Sequence, residues 1–548
     1  MRVLACAIAL ATALFFATPA AAAPSVDPYH VRLSLSGNAD GSEMVVGWTV
    51  NGTYTAESYV PYVVYQRDTE TEEWEHSVDC IHKAYLDTQT HFYCTIKSLW
   101  HNTDYTYMVA GLMGQSISDF FHFRAQPAAG QSTKIAVLGD LGYELGEPTA
   151  RVMAAEVARK AYALVVHVGD LAYADGYDHD GPNVEYDAWT DKFMALIAPT
   201  TSGAPYMICP GNRDVTCHFD GDHDCLASTR NFTAYINRWQ MPSRATGGPG
   251  DSGMWYTYAH GDVQFISINT ESNYPGAPYN AKTPASAGEF WAPQEQMVWL
   301  DEQLRRANTP AARKLRPWVV VIGHRPLYST LTLDFPANHI KTMRAVFERL
   351  FTVHGVDLYI SGHAHMYERS YPISEFDFQP FYGNVSFPVQ IVNGAAGNVE
   401  AHCHDVTAEL PDYIPYRNTK QYGYGVITTR KPGESGHAAS LRRAAAPAAV
   451  GDVKRVERAD GTAWVGPVSS NAAAGTTRPQ HRLSQMSAEA KAKRAADAAA
   501  AKTSEEEVAT ASAGGVPKVT LCYEFLATTK DQGPNMSAVD EFCLTRDI

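Results

Sequence analysis

A β-sandwich followed by a layered α/β domain is the fold the sequence predicts, and three observations predict it. Short alternating or β-branched runs fill the chain from about residue 28 to residue 126. Beyond a small, polar linker at 127–133 (PAAGQST), buried-type strands alternate with helical patterns. At 548 residues the chain is too long for one ordinary core, so two or more domains are expected.

The front runs are VRLSLSG, EMVVGWTV, YVVYQR, HFYCTIKSL, TDYTYMVAGL and DFFHFRA, and they read as an antiparallel sandwich over 24–126. In the second domain, 134–430, the strand candidates are KIAVLGD (134–140), ALVVHVGD (163–170), VQFISINTE (263–271), WVVVIGH (318–324) and DLYISG (357–362). Between them Ile340, Met343, Val346, Phe347, Leu350 and Phe351 recur at helical spacing and give one apolar core face. From 431 to 515 the composition collapses to Ala, Gly, Ser and charge, which predicts a surface insertion without a core of its own. Strand character returns in KVTLCYEFLA and VDEFCL, so 516–548 is expected to complete the second domain as a hairpin that the insertion interrupts.

The first 23 residues carry one Arg, a moderate apolar run and then small residues. They are expected to be a signal peptide, with an uncleaved anchor as the alternative. No later segment is apolar enough to span a bilayer. Removing Cys6 with the signal leaves an even set of cysteines, and Cys80 with Cys94, Cys217 with Cys225 and Cys522 with Cys543 are the local pairs to expect, although sequence does not fix connectivity. Sequons at Asn51, Asn231, Asn384 and Asn535 agree with a secretory route. With 44 basic against 59 acidic residues, a net charge of −15 argues against a nucleic-acid-binding surface. A small phosphorylated substrate remains compatible with it, because bound cations reverse the local field.

Loops at the carboxyl ends of strands in open α/β sheets gather into one crevice. Five apolar runs here end in metal-ligand residue types: Asp140, Asp170, Asn212 after YMICPG, His324, and His363 with His365 after DLYISG. Tyr173 lies three residues past Asp170. Singly, each has an ordinary reading as a turn, cap or core residue. Repeated, with oxygen and imidazole donors and no cysteine, the arrangement suits a pair of iron, zinc or manganese ions.

The blocks GDLG (139–142), GDLAY (169–173), GN (211–212), VIGHRP (321–326) and GHAHMYER (362–369) resemble, in order, those of the purple acid phosphatases of the calcineurin-like metallophosphoesterase superfamily. ISINTE around Thr270 and NGAAGNVE at 393–400 add to the likeness. The resemblance implies a fibronectin-III-like sandwich before a four-layer α/β sandwich. It further implies a ferric ion on Asp140, Tyr173 and His365, a divalent zinc, iron or manganese ion on Asn212, His324 and His363, and Asp170 between them. Activity would be that of an acid phosphatase, secreted or held in an acidic, lysosome-like lumen, with hydroxide generated at the ion pair attacking a phosphate monoester directly. A phosphodiesterase or pyrophosphatase on the same site, and a non-catalytic metal-containing surface protein, are the alternatives.

One block departs from the family: where GNH and an acid are usual, this chain reads GNRD. Arg213 and Asp214 are therefore the expected substrate-side catalytic residues, with Arg213 able to clamp phosphate but not to protonate a leaving group. The loop after His324 lacks the adjacent histidines of related plant enzymes and offers Leu333 and Asp334 instead. His179, His218 and His223, in nearby Asp- and Gly-rich loops, are read mainly as solvated side chains and secondarily as substitutes for the missing histidine.

Overall fold

A computed structural model describes residues 26–69, 74–111, 115–174, 186–215, 232–277, 293–332, 338–432, 434, 518–528 and 536–547. The leader at 1–23, nearly all of the Ala-rich stretch 431–515, the Cys217 and Cys225 pair, Asn231, Asn535, His179, His218, His223, Leu333 and Asp334 lie outside the described residues.

The front of the chain forms two antiparallel sheets. One has the order Tyr29–Leu35, Met44–Asn51, Gln89–Ile96, Cys80–Tyr85, and the other is built around Tyr62–Arg67 and Asp104–Gly111. Alternation marked the central strands because their inward residues, among them Trp48, Phe92, Val63 and Tyr107, are fully buried. Cys80–Tyr85 escaped the sequence reading because it is an exposed edge with no alternating face. A disulfide between Cys80 and Cys94 ties it to its neighbour. Asn51 and Asn384 are both exposed.

This β region is bonded to the α/β domain rather than strung beside it. Arg238, only 1% exposed, pairs with Asp187 and Asp191 of the helix Tyr186–Thr201, and Tyr85 and Gln89 of the front sheet donate to the same two carboxylates.

The remainder is a multi-sheet α/β domain. A six-stranded sheet runs Tyr206–Ile208, Leu164–His167, Lys134–Leu138, Gly423–Arg430, Lys518–Thr528, Met536–Asp547, parallel among its first three strands and antiparallel after them. A seven-stranded sheet has Val263–Ser267, Trp318–Ile322, Leu358–Ser361 and Val389–Asn393 in parallel at its centre. The chain leaves the first sheet at Arg430 and re-enters it at Lys518, and Cys522 is bonded to Cys543 across the final hairpin. In the helix Glu147–Ala158, Ala150, Met153 and Val157 are buried at helical spacing. The expected stripe over 340–351 is helical with a wider π turn at Arg344–Glu348, and Met343, Phe347 and Phe351 are its fully buried members. Among the described residues no helix is long and apolar enough to cross a membrane.

Candidate metal centre

The strands that carry the expected ligands stop short of them. Regular pairing ends at Leu138, His167, Ile322 and Ser361, and the residues beyond turn sharply. Asp140, Asp170, Tyr173 and His363 all have left-handed backbones, with φ of 60°, 55°, 55° and 68°. A non-glycine residue held there costs roughly 1–3 kcal/mol, and such strain gathers where a side chain must be aimed. Two glycines let the carboxylates lie against the main chain: a Cβ on Gly211 would stand 2.3 Å from Asp170 Oδ1, and one on Gly362 would stand 2.2 Å from Asp140 Oδ2.

The two sheets are laced together at this end. The His363 amide donates to both oxygens of Asp140, at 3.1 and 2.9 Å, and the Asn393 side chain donates to the Val137 carbonyl. Two groups of donor atoms result. In the first, Tyr173 Oη is 3.0 Å from Asp140 Oδ1 and 2.7 Å from His365 Nε2. In the second, His324 Nε2 is 3.2 Å from Asp170 Oδ2 and 3.1 Å from Asn212 Oδ1, which is itself 2.8 Å from His363 Nδ1. The ligand atoms of Asp170, His324 and His363 all lie within 4.8 Å of one another.

Partners behind the ring nitrogens decide which atoms face inward. The Val168 carbonyl can only accept, so His324 Nδ1 carries the hydrogen at 2.9 Å and Nε2 is turned to the site. Arg325, held by both oxygens of buried Glu271, donates to His363 Nε2 at 3.2 Å, so the hydrogen of the neutral ring lies on Nδ1 and is donated to Asn212 Oδ1 at 2.8 Å; Nδ1 can ligate only once that hydrogen moves to Nε2 and the arginine contact is released. Burial would raise the Asp170 carboxyl, but His324 beside it holds it well below the carboxylate range. Burial, reinforced by Asp140 and Asp170, pushes the Tyr173 phenol far above its ordinary value, so a phenolate there requires a cation. Carboxylate, phenol, amide oxygen and imidazole, without sulfur, suit iron, zinc or manganese, and the residues fit such ions.

All seven expected ligand residues thus come together, whereas the two expected substrate residues do not stand free. Asp214 is 2% exposed, and its oxygens accept from the amides of Asp170, Leu171 and Gly211 at 2.8–3.1 Å. It braces the loops that carry Asp170 and Asn212. The Arg213 amide donates to Asp170 Oδ1 at 2.7 Å, while its guanidinium pairs with Glu400 and sits 5.4 Å from the centre of the Tyr173 ring. Glu400, Asn398 and the Glu271–Arg325 pair received no role from the sequence, although NGAAGNVE and ISINTE pointed to their segments.

The calcineurin-like phosphoesterase family matches residues 133–367, and the iron/zinc purple acid phosphatase-like protein C family matches 387–431. The human acid phosphatase type 7 is 33% identical over 347 residues, covering 60% of this chain and 69% of that protein. An acid phosphatase of Aspergillus ficuum is 27% identical over 444 residues, covering 61% and 70%. Among solved structures, a purple acid phosphatase from yellow lupin seeds superposes with a TM-score of 0.59 at 21% identity, over 73% of this chain and 70% of that one.

Proposed function

Because the chain belongs to the calcineurin-like metallophosphoesterases, in their purple acid phosphatase branch, and is a metal-dependent hydrolase of phosphate esters, we propose that it hydrolyses small phosphate monoesters in acid at a pair of ions. Asp140, Tyr173 and His365 would hold a ferric ion, Asn212, His324 and His363 a divalent zinc, iron or manganese ion, and Asp170 would serve both. Bound there, the pair would acidify a water and neutralise charge on the phosphate oxygens during in-line displacement. The protein's part is orientation: the Val168 carbonyl fixes which nitrogen of His324 faces inward, and Asp214 fixes the loops. The apolar leader at 1–23 supports a secretory route.

The observation that carries this reading is the Tyr173 phenol, buried between Asp140 and His365 at 3.0 and 2.7 Å. Purified protein should contain iron and a second metal, absorb in the visible through phenolate-to-iron charge transfer, and release phosphate fastest in acid. Tyr173→Phe should abolish the absorption band while keeping the fold. A colourless, iron-free but fully active parent would sink the ferric assignment.

Leaving-group chemistry gives a second expectation. Arginine cannot release a proton near working pH, and a positioned general acid is worth about 10²–10⁴-fold. With Arg213 at the usual histidine position, aryl phosphates and the anhydride bonds of nucleoside di- and triphosphates should be cleaved at least about 100-fold faster than simple alkyl phosphates. Equal turnover of the two classes would remove the argument.

A further inference from the structure

We infer that Arg325 works against the divalent ion proposed for Asn212, His324 and His363, so that His363 holds the ion weakly and this position exchanges it readily. The inference rests on the metal-pair reading above. The two histidines of this one position have partners of opposite kind behind them. A neutral imidazole that gives the lone pair of one nitrogen to a cation carries its hydrogen on the other, and that hydrogen needs an acceptor. His324 has one in the Val168 carbonyl, 2.9 Å from Nδ1, while its Nε2 faces Asp170 and Asn212. His363 turns Nδ1 toward Asn212 Oδ1 at 2.8 Å, but the group 3.2 Å from its Nε2 is the Arg325 guanidinium, which has five N–H donors and no acceptor. Ligation through Nδ1 would set an N–H of the ring against an N–H of the arginine.

The arginine is not a loose side chain that can step aside. Arg325 is 4% exposed and Glu271 2%. Arg325 Nε donates to both Glu271 oxygens, at 2.9 and 2.8 Å. Thr270 Oγ1 joins the same knot, accepting from the Arg325 amide at 3.1 Å and donating to Glu271 Oε1 at 3.0 Å. The Arg325 carbonyl accepts from the Tyr359 hydroxyl at 2.6 Å, and the Glu271 amide donates to Asn269 Oδ1 at 2.7 Å. Moving the guanidinium off His363 therefore disturbs a buried ion pair, which is costly because a charge left alone there is uncompensated. Binding of the ion has to supply that free energy, and its affinity is lower by the same amount. The ring stays neutral throughout; only the nitrogen that carries the hydrogen changes.

The test is zinc binding by the full chain loaded with ferric iron, titrated in competition with a chromophoric chelator. Arg325→Met removes the opposing donor and leaves the Glu271 carboxylate free to accept, so the zinc dissociation constant should fall at least about tenfold. A contact that merely held the ring in place would give the opposite sign, since its loss would weaken binding. Should the lone Glu271 charge keep Arg325→Met from folding, Glu271→Leu combined with Arg325→Met replaces the pair by apolar groups, and it too should bind zinc more tightly than the parent. His324→Ala, made in the parent, locates the ion. If it lowers zinc uptake, then unchanged or weaker zinc binding in a folded Arg325 variant overturns this inference alone. If zinc uptake survives it undiminished, no ion sits at this position, and the metal-pair reading falls together with this inference.

Discussion

Asp170→Asn should fold, lose at least one bound ion and release phosphate on the order of a thousandfold more slowly, since ion stabilisation of the reacting phosphate is worth several kcal/mol and each 1.4 kcal/mol is about tenfold. Asp170 is 2% exposed, and its two oxygens have different work. Oδ1 accepts the Arg213 amide at 2.7 Å, and Oδ2 faces His324 Nε2 at 3.2 Å. An asparagine can keep the first contact, which should preserve the loop. At the second it either aims N–H hydrogens into a place where lone pairs converge or presents a neutral oxygen where an anion stood. Burial alone would lower the His324 pKa, yet Asp170 holds it up to about 10. That dependence shows how strongly the carboxylate sets the local field. Metal content, a thermal melt and phosphate release on the same preparation separate the outcomes. A variant with full metal and near-full activity would mean that no shared carboxylate is needed at this position.

The candidate site was legible because six of its seven expected ligands, all but Tyr173, follow an apolar run, and burial makes such runs conspicuous. Parallel strands buried on both faces, such as Val319 to Ile322 and Leu164 to Val166, leave continuous Val, Ile and Leu in the sequence, and the first polar residue beyond them stands out. The loops in between were not legible. Left-handed backbone at Asp140, Asp170 and His363 follows from closing a tight loop against another sheet, and hydropathy does not encode it. Read from sequence, Arg213 has a phosphate to clamp, whereas the structure pairs it with Glu400, 187 positions later along the chain. Such a pairing depends on how the Asn393–Glu400 loop is laced to the Asp140 loop, which is a tertiary fact. The edge strand Cys80–Tyr85 was missed for the opposite reason: three of its six side chains are exposed, only Tyr85 is buried, and no alternation results.

Acid should destabilise the fold even though the proposed chemistry is acid chemistry. His30, His167 and His260 are buried, and burial is the main reason that each is pulled down from 6.5 to about 3. Below pH 6.5 the unfolded chain binds a proton that the folded chain refuses at these positions. Stability from this source is therefore full above about pH 6.5 and lost as pH falls toward 3. At pH 5 the loss is roughly 2 kcal/mol for each histidine, about 6 kcal/mol for the three. Asp262 acts in the opposite sense. Burial pushes its carboxyl up to about 7, against the pull of a hydrogen bond from Thr429, and its second oxygen has no hydrogen-bond partner among the described residues. The folded chain there keeps a proton that the unfolded chain has released, so Asp262 favours the fold below about pH 4 and loses that favour as pH rises through 7. Its gain at pH 5 relative to alkaline pH is roughly 3 kcal/mol, about half of what the histidines remove. The histidines win, and the melting temperature should fall by several degrees between pH 7.5 and pH 5. In Asp262→Asn the opposing term is gone, so the fall should be steeper and start from a higher value at pH 7.5. Melting curves of the two proteins at both pH values decide it, and a parent whose melting temperature rises toward acid would show that these buried histidines do not govern its stability.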